Sequence, residues 1–159
     1  MRKAIMPWDI RNECLWIVRG YRRRLRAYNE ARAEIINGSG GNYQTVDDPE
    51  NAGETIRFVA PRPGGDSRQT ETKAMRLLAL EDWEETKRMR AVEAARLNIG
   101  KDVENIDSRL RLVDAIILSC EDGKRSPHRM LNVDEFSERD FYRRRDRFLL
   151  DIAKYLGLM

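Results

Sequence analysis

Histidine is nearly missing from this chain: His128 is the single one among 159 residues. Cysteine occurs only at Cys14 and Cys120, so the chain lacks the ligands of a zinc site and no metal is expected. Both cysteines fall on apolar faces of separate predicted helices and read as small buried thiols rather than a disulfide. No run of about 18 apolar residues occurs, which excludes a membrane-spanning helix. At the start, Met1 to Met6 lead directly into Pro7-Trp8-Asp9. That is too short for the apolar core of a signal peptide, and a cytoplasmic protein is expected. Catalytic signatures are missing too: there is no glycine-rich phosphate loop after a strand, no Ser/His/Asp set and no metal-ligand spacing. Glu81, Asp82, Glu84 and Glu85 pair carboxylates with no third catalytic group near them in sequence. Neither a cofactor nor an enzymatic activity is expected.

What is present is charge. Asp, Glu, Lys and Arg make up 36% of the chain and hydrophobic residues 41%, a balance that favours long, half-exposed helices over a sheet covered on both faces. The formal net charge is only +3, so the clustering of cations matters more than their total. The predicted fold class is all-α: a long N-terminal helix (residues 1–37), a flexible linker (38–66), and a C-terminal helical domain (67–159) holding a helix-turn-helix at about 110–157.

The first helix is predicted over residues 9–37. Ile10, Cys14, Ile17, Tyr21, Leu25, Tyr28 and Ile35 recur at mostly three- and four-residue steps, one apolar seam that makes self-association through this helix an expectation. Arg22, Arg23 and Arg24, with Tyr21, read as a solvated face ahead of a contact with nucleic acid or an acidic partner. Trp8, Trp16 and Trp83 read as packing anchors. Gly38-Ser39-Gly40-Gly41 stops the helix, because glycine tolerates the positive φ of a helix end. The following stretch, with Asp47-Asp48-Pro49 and Pro61-Arg62-Pro63-Gly64-Gly65, has linker composition. Within it, Thr55-Ile56-Arg57-Phe58-Val59 forms either a short strand or a docking segment, and alone it cannot make a sheet. Helical pattern resumes near Ser67 and continues toward Asn98. After a break at Ile99-Gly100, Val103, Ile106, Leu110, Val113, Ile117 and Cys120 keep helical steps until Asp122-Gly123 ends the run.

The last segment carries the functional signal. Ser126-Pro127 starts a short helix, proline being favoured at a first helical position, and residues 132–136 turn the chain. Ser137 then stands as N-cap, its hydroxyl placed to accept from the N–H of Asp140. With about 100° per residue, Phe148, Ile152, Tyr155 and Leu156 fall within about 60° of Phe141 and form the packed face. Arg139, Arg143 and Arg147 lie opposite, Asp140 and Asp146 toward the edges, Arg144 flanks the stripe, and Arg145 must snorkel. Helix, short helix, turn and capped helix is the layout of a helix-turn-helix. Its last helix presents arginines to base edges, and a helix N-terminus suits a phosphate. Double-stranded DNA is the expected partner, contacted by Ser137, Arg139, Asp140, Arg143, Arg144 and Arg147. Arg125 and Arg129, with Lys124 and His128, are placed to hold backbone phosphates.

Three stretches carry a family resemblance. One is Cys14-Leu15-Trp16-Ile17-Val18-Arg19-Gly20-Tyr21 followed by Arg22-Arg23-Arg24. The second is Thr70-Glu71-Thr72-Lys73-Ala74-Met75-Arg76-Leu77-Leu78. The third is Phe141-Tyr142-Arg143-Arg144-Arg145-Asp146-Arg147-Phe148, running on to Leu158. In these the chain resembles phage late-transcription activators of the RinA/ArpU type, whose C-terminal part looks like region 4 of bacterial sigma factors. The resemblance implies a phage or prophage DNA-binding regulator at late promoters, acting with host RNA polymerase in the bacterial cytoplasm. It also implies that residues 137–147 supply the DNA contacts. The competing expectation is a non-catalytic phage assembly protein, such as a terminase small subunit or a helical adaptor.

Overall fold

A computed structural model of the chain describes residues 5–37, 44–47, 55–58 and 69–159. In chain order its elements are α1 (Trp8–Arg19), α2 (Tyr21–Asn37), β1 (Gln44–Asp47), β2 (Thr55–Phe58), α3 (Gln69–Glu81), α4 (Glu84–Asn98), α5 (Ile106–Asp122) and α6 (Glu138–Tyr155). Two single 3-10 turns, Gly123–Arg125 and His128–Met130, lie between α5 and α6. The class is all-α, and a two-stranded hairpin is the only sheet among the described residues. No helix among them is long and apolar enough to cross a membrane.

The chain divides into two compact units, Gly20–Met89 and a discontinuous one made of Met1–Arg19 with Arg90–Met159. This corrects the division expected from sequence at residues 37 and 66. The first correction is the N-terminal helix, which is not continuous but breaks at Gly20 into α1 and α2. A Cβ built on Gly20 would lie 2.5 Å from Arg24 Nη1 and 3.0 Å from Arg23 Nη2. The missing side chain therefore makes room for two guanidiniums that both sink into the interior. The second correction is the linker. Residues 44–47 and 55–58 pair as an antiparallel hairpin, with Val46 opposite Ile56 and Thr45 opposite Arg57. Of the alternatives for the segment from Thr55, its first four residues take the strand. Val59 and the Gly-Ser-Gly-Gly and Pro-Arg-Pro-Gly-Gly stretches lie outside the described residues.

Within Gly20–Met89, α2 packs on α3 and touches both strands. The core is Ala27, Tyr28, Ala31, Ile35, Leu80 and Met89, with Leu77 and Trp83 packed against it. Trp83 also explains why the helix expected over residues 67–98 breaks. Its ring joins this core, its N–H bonds the Leu80 carbonyl at 3.4 Å, and Glu84 starts the next helix. The carboxylates that pair on paper are occupied here: Glu81 accepts from Tyr28 Oη, Glu85 from Arg24 and Arg88, and Lys87 pairs with Asp82 and Glu84.

In the other unit α1 packs on α5 and α6, which also touch each other. Asn105 caps α5 by accepting from the N–H groups of Asp107 and Ser108. Gly123, at φ 58°, ends it and donates to the Ser119 carbonyl, a backbone conformation open to glycine at little steric cost. The inward face of α5 is Leu112, Val113, Ile116 and Cys120, whereas Ile106 is 71% exposed and Leu110 is exposed too. The sequence offers two apolar stripes on this helix, and packing turns it toward the one that contains Leu112 and Ile116. Cys14 and Cys120 are both buried and free. Burial pushes the Cys14 thiol up to about 11 and the Cys120 thiol up to about 12, which leaves both protonated and inert.

Two expectations about the N-terminal segment also change. Cys14, Ile17, Tyr28 and Ile35 of the apolar seam are buried inside the chain's own two units. Ile10, Tyr21 and Leu25, the other three, are half-buried, so most of the seam faces the chain's own units. Trp8 is 78% exposed and Trp16 is exposed as well, whereas Trp83 packs against a hydrophobic core.

Candidate nucleic-acid interface

α6 forms because its two ends and one face are satisfied together. Ser137 is the N-cap, and its Oγ accepts from the Asp140 N–H at 3.1 Å. Glu138 and Asp140 lie in the first turn and Lys154 in the last, signs that complement the helix dipole. Phe141, Phe148, Leu149, Ile152 and Ala153 are buried, recurring at the steps of one helix face. Beneath them, the Phe141 ring meets those of His128 and Tyr142, each with centroids 5.3 Å apart. Gly157 follows at φ 70°. Tyr155, expected inward, is exposed, and its hydroxyl accepts from Asn98 Nδ2 at 3.0 Å.

The opposite face carries Arg139, Arg143 and Arg147, all exposed. Arg139 and Arg147 form no ion pair among the described residues. Arg143 has 67% of its side chain exposed and donates from Nη2 to Asp140 Oδ1 at 2.5 Å. Lys124 and Arg125 on the first 3-10 turn and Arg129 on the second are exposed and likewise have no ion-pair partner among the described residues. His128 sits differently from its expected place among the phosphate-holding residues. Its Nε2 is 2.8 Å from the Phe136 carbonyl oxygen and its N–H meets Tyr142 Oη at 3.4 Å, so it ties the turn to α6.

Arg144 is also placed differently from the solvent stripe. Only 19% of its side chain is exposed. Its Nη1 and Nη2 donate to the two oxygens of Asp102 at 2.8 and 2.6 Å, and its Nε donates to Asp140 Oδ2 at 2.9 Å. The guanidinium also lies over the Phe136 ring, 5.2 Å from its centroid. Arg145 snorkels as its position on the helix requires, donating to Ser119 Oγ at 3.1 Å and lying over the Tyr142 ring. At the other edge Asp146 accepts from Arg11 of α1 at 2.8 Å. Sequence reasoning missed Asp102 and Arg11: they lie far along the chain from α6, and nothing local marks them as its partners.

The ion pairs shift the titration of these groups. Hydrogen bonding from Arg144 holds Asp102 near a pKa of about 2, below its ordinary 3.8. The same arginine, then Arg143, holds Asp140 low, and the Asp102 bonds push Arg144 higher still. A carboxyl whose pKa is depressed by folding stabilises the fold fully above its unfolded value and loses that contribution as pH falls through the folded one. Asp102 is largely exposed, so its share is about 0.5 kcal/mol. Native protein is thus expected to unfold at a higher temperature than Asp102→Asn at about pH 6, with the gap closing toward about pH 2. Thermal melts across that range check this; a gap independent of pH contradicts it.

No family model, curated protein or solved structure matches this chain. Among the described residues no group of His, Cys, Asp and Glu stands together as a metal site. What the site offers chemically is therefore an exposed cationic helix face with one capped end, bordered by three more exposed cations on the turns before it.

Proposed function

We propose that the protein is a DNA-binding transcriptional regulator whose α6 enters the major groove, with α5 and the turn before α6 completing a helix-turn-helix. The observation that carries this reading is the exposed guanidinium stripe Arg139, Arg143 and Arg147 on a helix whose other face is buried from Phe141 to Ala153. Arginine forks suit guanine edges and phosphates, and a rigid helix holds them in register. Arg125, Arg129 and Lys124 fit phosphate contacts beside it, and the Ser137 end of the helix suits a further phosphate oxygen. The likeness to RinA/ArpU-type activators in residues 141–158 supports a phage or prophage regulator at late promoters. On that reading host RNA polymerase is its partner and the bacterial cytoplasm its compartment.

The test is binding to duplex DNA by fluorescence anisotropy across a salt series, followed by genomic footprinting to recover the site. Affinity is expected to fall steeply with salt, since each neutralised phosphate releases counterions. The double variant Arg143→Ala, Arg147→Ala is expected to weaken binding to the recovered site by about thirtyfold or more, with its helical circular dichroism intact. Undiminished affinity in that folded variant would remove α6 as the reader.

A further inference from the structure

We infer that Asp102 and Arg144 form a strut that, through Asp140, aims Arg143 at one base pair, and that the base read there is guanine. This rests on the DNA-binding reading above and divides its arginines into one that reads and one that holds. Four side chains make a continuous ladder: Asp102 to Arg144 at 2.6 and 2.8 Å, Arg144 Nε to Asp140 at 2.9 Å, and Arg143 Nη2 to Asp140 at 2.5 Å. The first rung is the bidentate fork in which two parallel N–H bonds fix both partners.

Arg144 has all three guanidinium nitrogens engaged by carboxylates, its plane rests on Phe136, and little of it is exposed. It has no edge left to offer a base. Asp140 is similarly committed, one oxygen to each arginine, so it is a positioning residue and not an acceptor for cytosine. Arg143 differs: a single nitrogen is held by Asp140 and the side chain is otherwise exposed. An unrestrained arginine on a helix surface loses much rotamer freedom when it docks. One already tethered to a carboxylate loses less, and its remaining donors sample fewer orientations. In the major groove only guanine shows two adjacent acceptors, N7 and O6, to a pair of donors. An ordinary pairing of Asp140 with Arg143 along the helix would need nothing from outside. The additional clamp comes from Asp102, 42 residues before Arg144, and it locks the carboxylate that holds the reader.

The full chain and the variants Arg143→Ala, Asp102→Asn, Asp102→Glu and Asp140→Asn should be put through selection from randomised duplexes, with affinities measured in parallel on the selected site. Native protein is expected to enrich guanine at one position, favoured there over other bases by about five- to 150-fold. Arg143→Ala should lose that preference and keep those at other positions. Asp102→Asn and Asp140→Asn should relax the same position, and Asp102→Glu should retain it. The salt slope should stay as in native protein for the Asp102 variants, because no phosphate contact is removed. Guanine preference unchanged in folded Asp102→Asn, or weakening spread evenly over all positions, overturns the strut while leaving DNA binding standing. Failure of native protein to select any sequence overturns the DNA reading and the strut together.

Discussion

Phe141→Ala is expected to destabilise the protein by about 3–5 kcal/mol, the range for removing a large aromatic side chain from a close-packed core. Phe141 is completely buried one turn into α6, with the His128 and Tyr142 rings around it. Truncation leaves a cavity beneath the helix start, where Ser137 caps it and where His128 fastens the preceding turn through the Phe136 carbonyl. Phe141→Leu keeps most of the volume and should cost about 1 kcal/mol. Urea unfolding of the two variants beside native protein measures both. Equal losses in the two would mean that the ring interactions, and not filled volume, hold this end of the helix. Arg143 lies on the face away from Phe141, so Arg143→Ala should leave stability within about 0.5 kcal/mol.

Glu85→Ala is expected to cost about 3 kcal/mol, since it takes a close carboxylate away from a buried cation. Arg24 is 0% exposed and donates from Nε to Glu85 at 2.6 Å. Burial pushes the Arg24 pKa down, and the bond to Glu85 counters that shift. Removing this carboxylate therefore weakens what offsets the burial of the charge. At this chain length the melting temperature should fall by about 10 °C. The complementary variant Arg24→Met removes the charge and keeps an apolar stem, while Glu85 keeps its contact with Arg88 at 2.7 Å. It should be the milder change, because a buried ion pair replaced by apolar volume is often near neutral. Scanning calorimetry decides the order; Arg24→Met melting below Glu85→Ala would show that the pair, and not its balance of charge, carries the stability.

The parts of this fold that were legible in sequence are those fixed by near neighbours. The Ser137 cap, the buried face from Phe141 to Ile152 and the exposed arginines opposite follow from helical spacing alone, and the structure places them so. The end of α5 at Gly123 and the burial of both cysteines follow equally from local pattern. What could not be read depends on distant partners. Arg23 and Arg24 carry the composition of a wet surface, yet both are buried, because Gly20 makes room for them and Glu85 arrives from α4. The same glycine ends α1, so one periodic pattern became two helices. Ile106 and Leu110 match the helical period as well as Leu112 and Ile116 do, and only packing chose between the two sets. Nothing near Asp102 announces that it will grip Arg144, and without that grip Arg144 reads as one more cation on the stripe.

The unit that contains α6 is assembled from two separate stretches, Met1–Arg19 and Arg90–Met159, with a contiguous unit between them in sequence. During synthesis α1 emerges long before either of the helices that will cover Cys14, Ile17 and Val18. The intervening stretch has its own hydrophobic cluster and can condense as soon as it leaves the ribosome. The outer unit has to close a large loop first, an entropic toll that slows folding. Until α5 and α6 have been made, α1 must wait with its apolar side in water, an early target for chaperones.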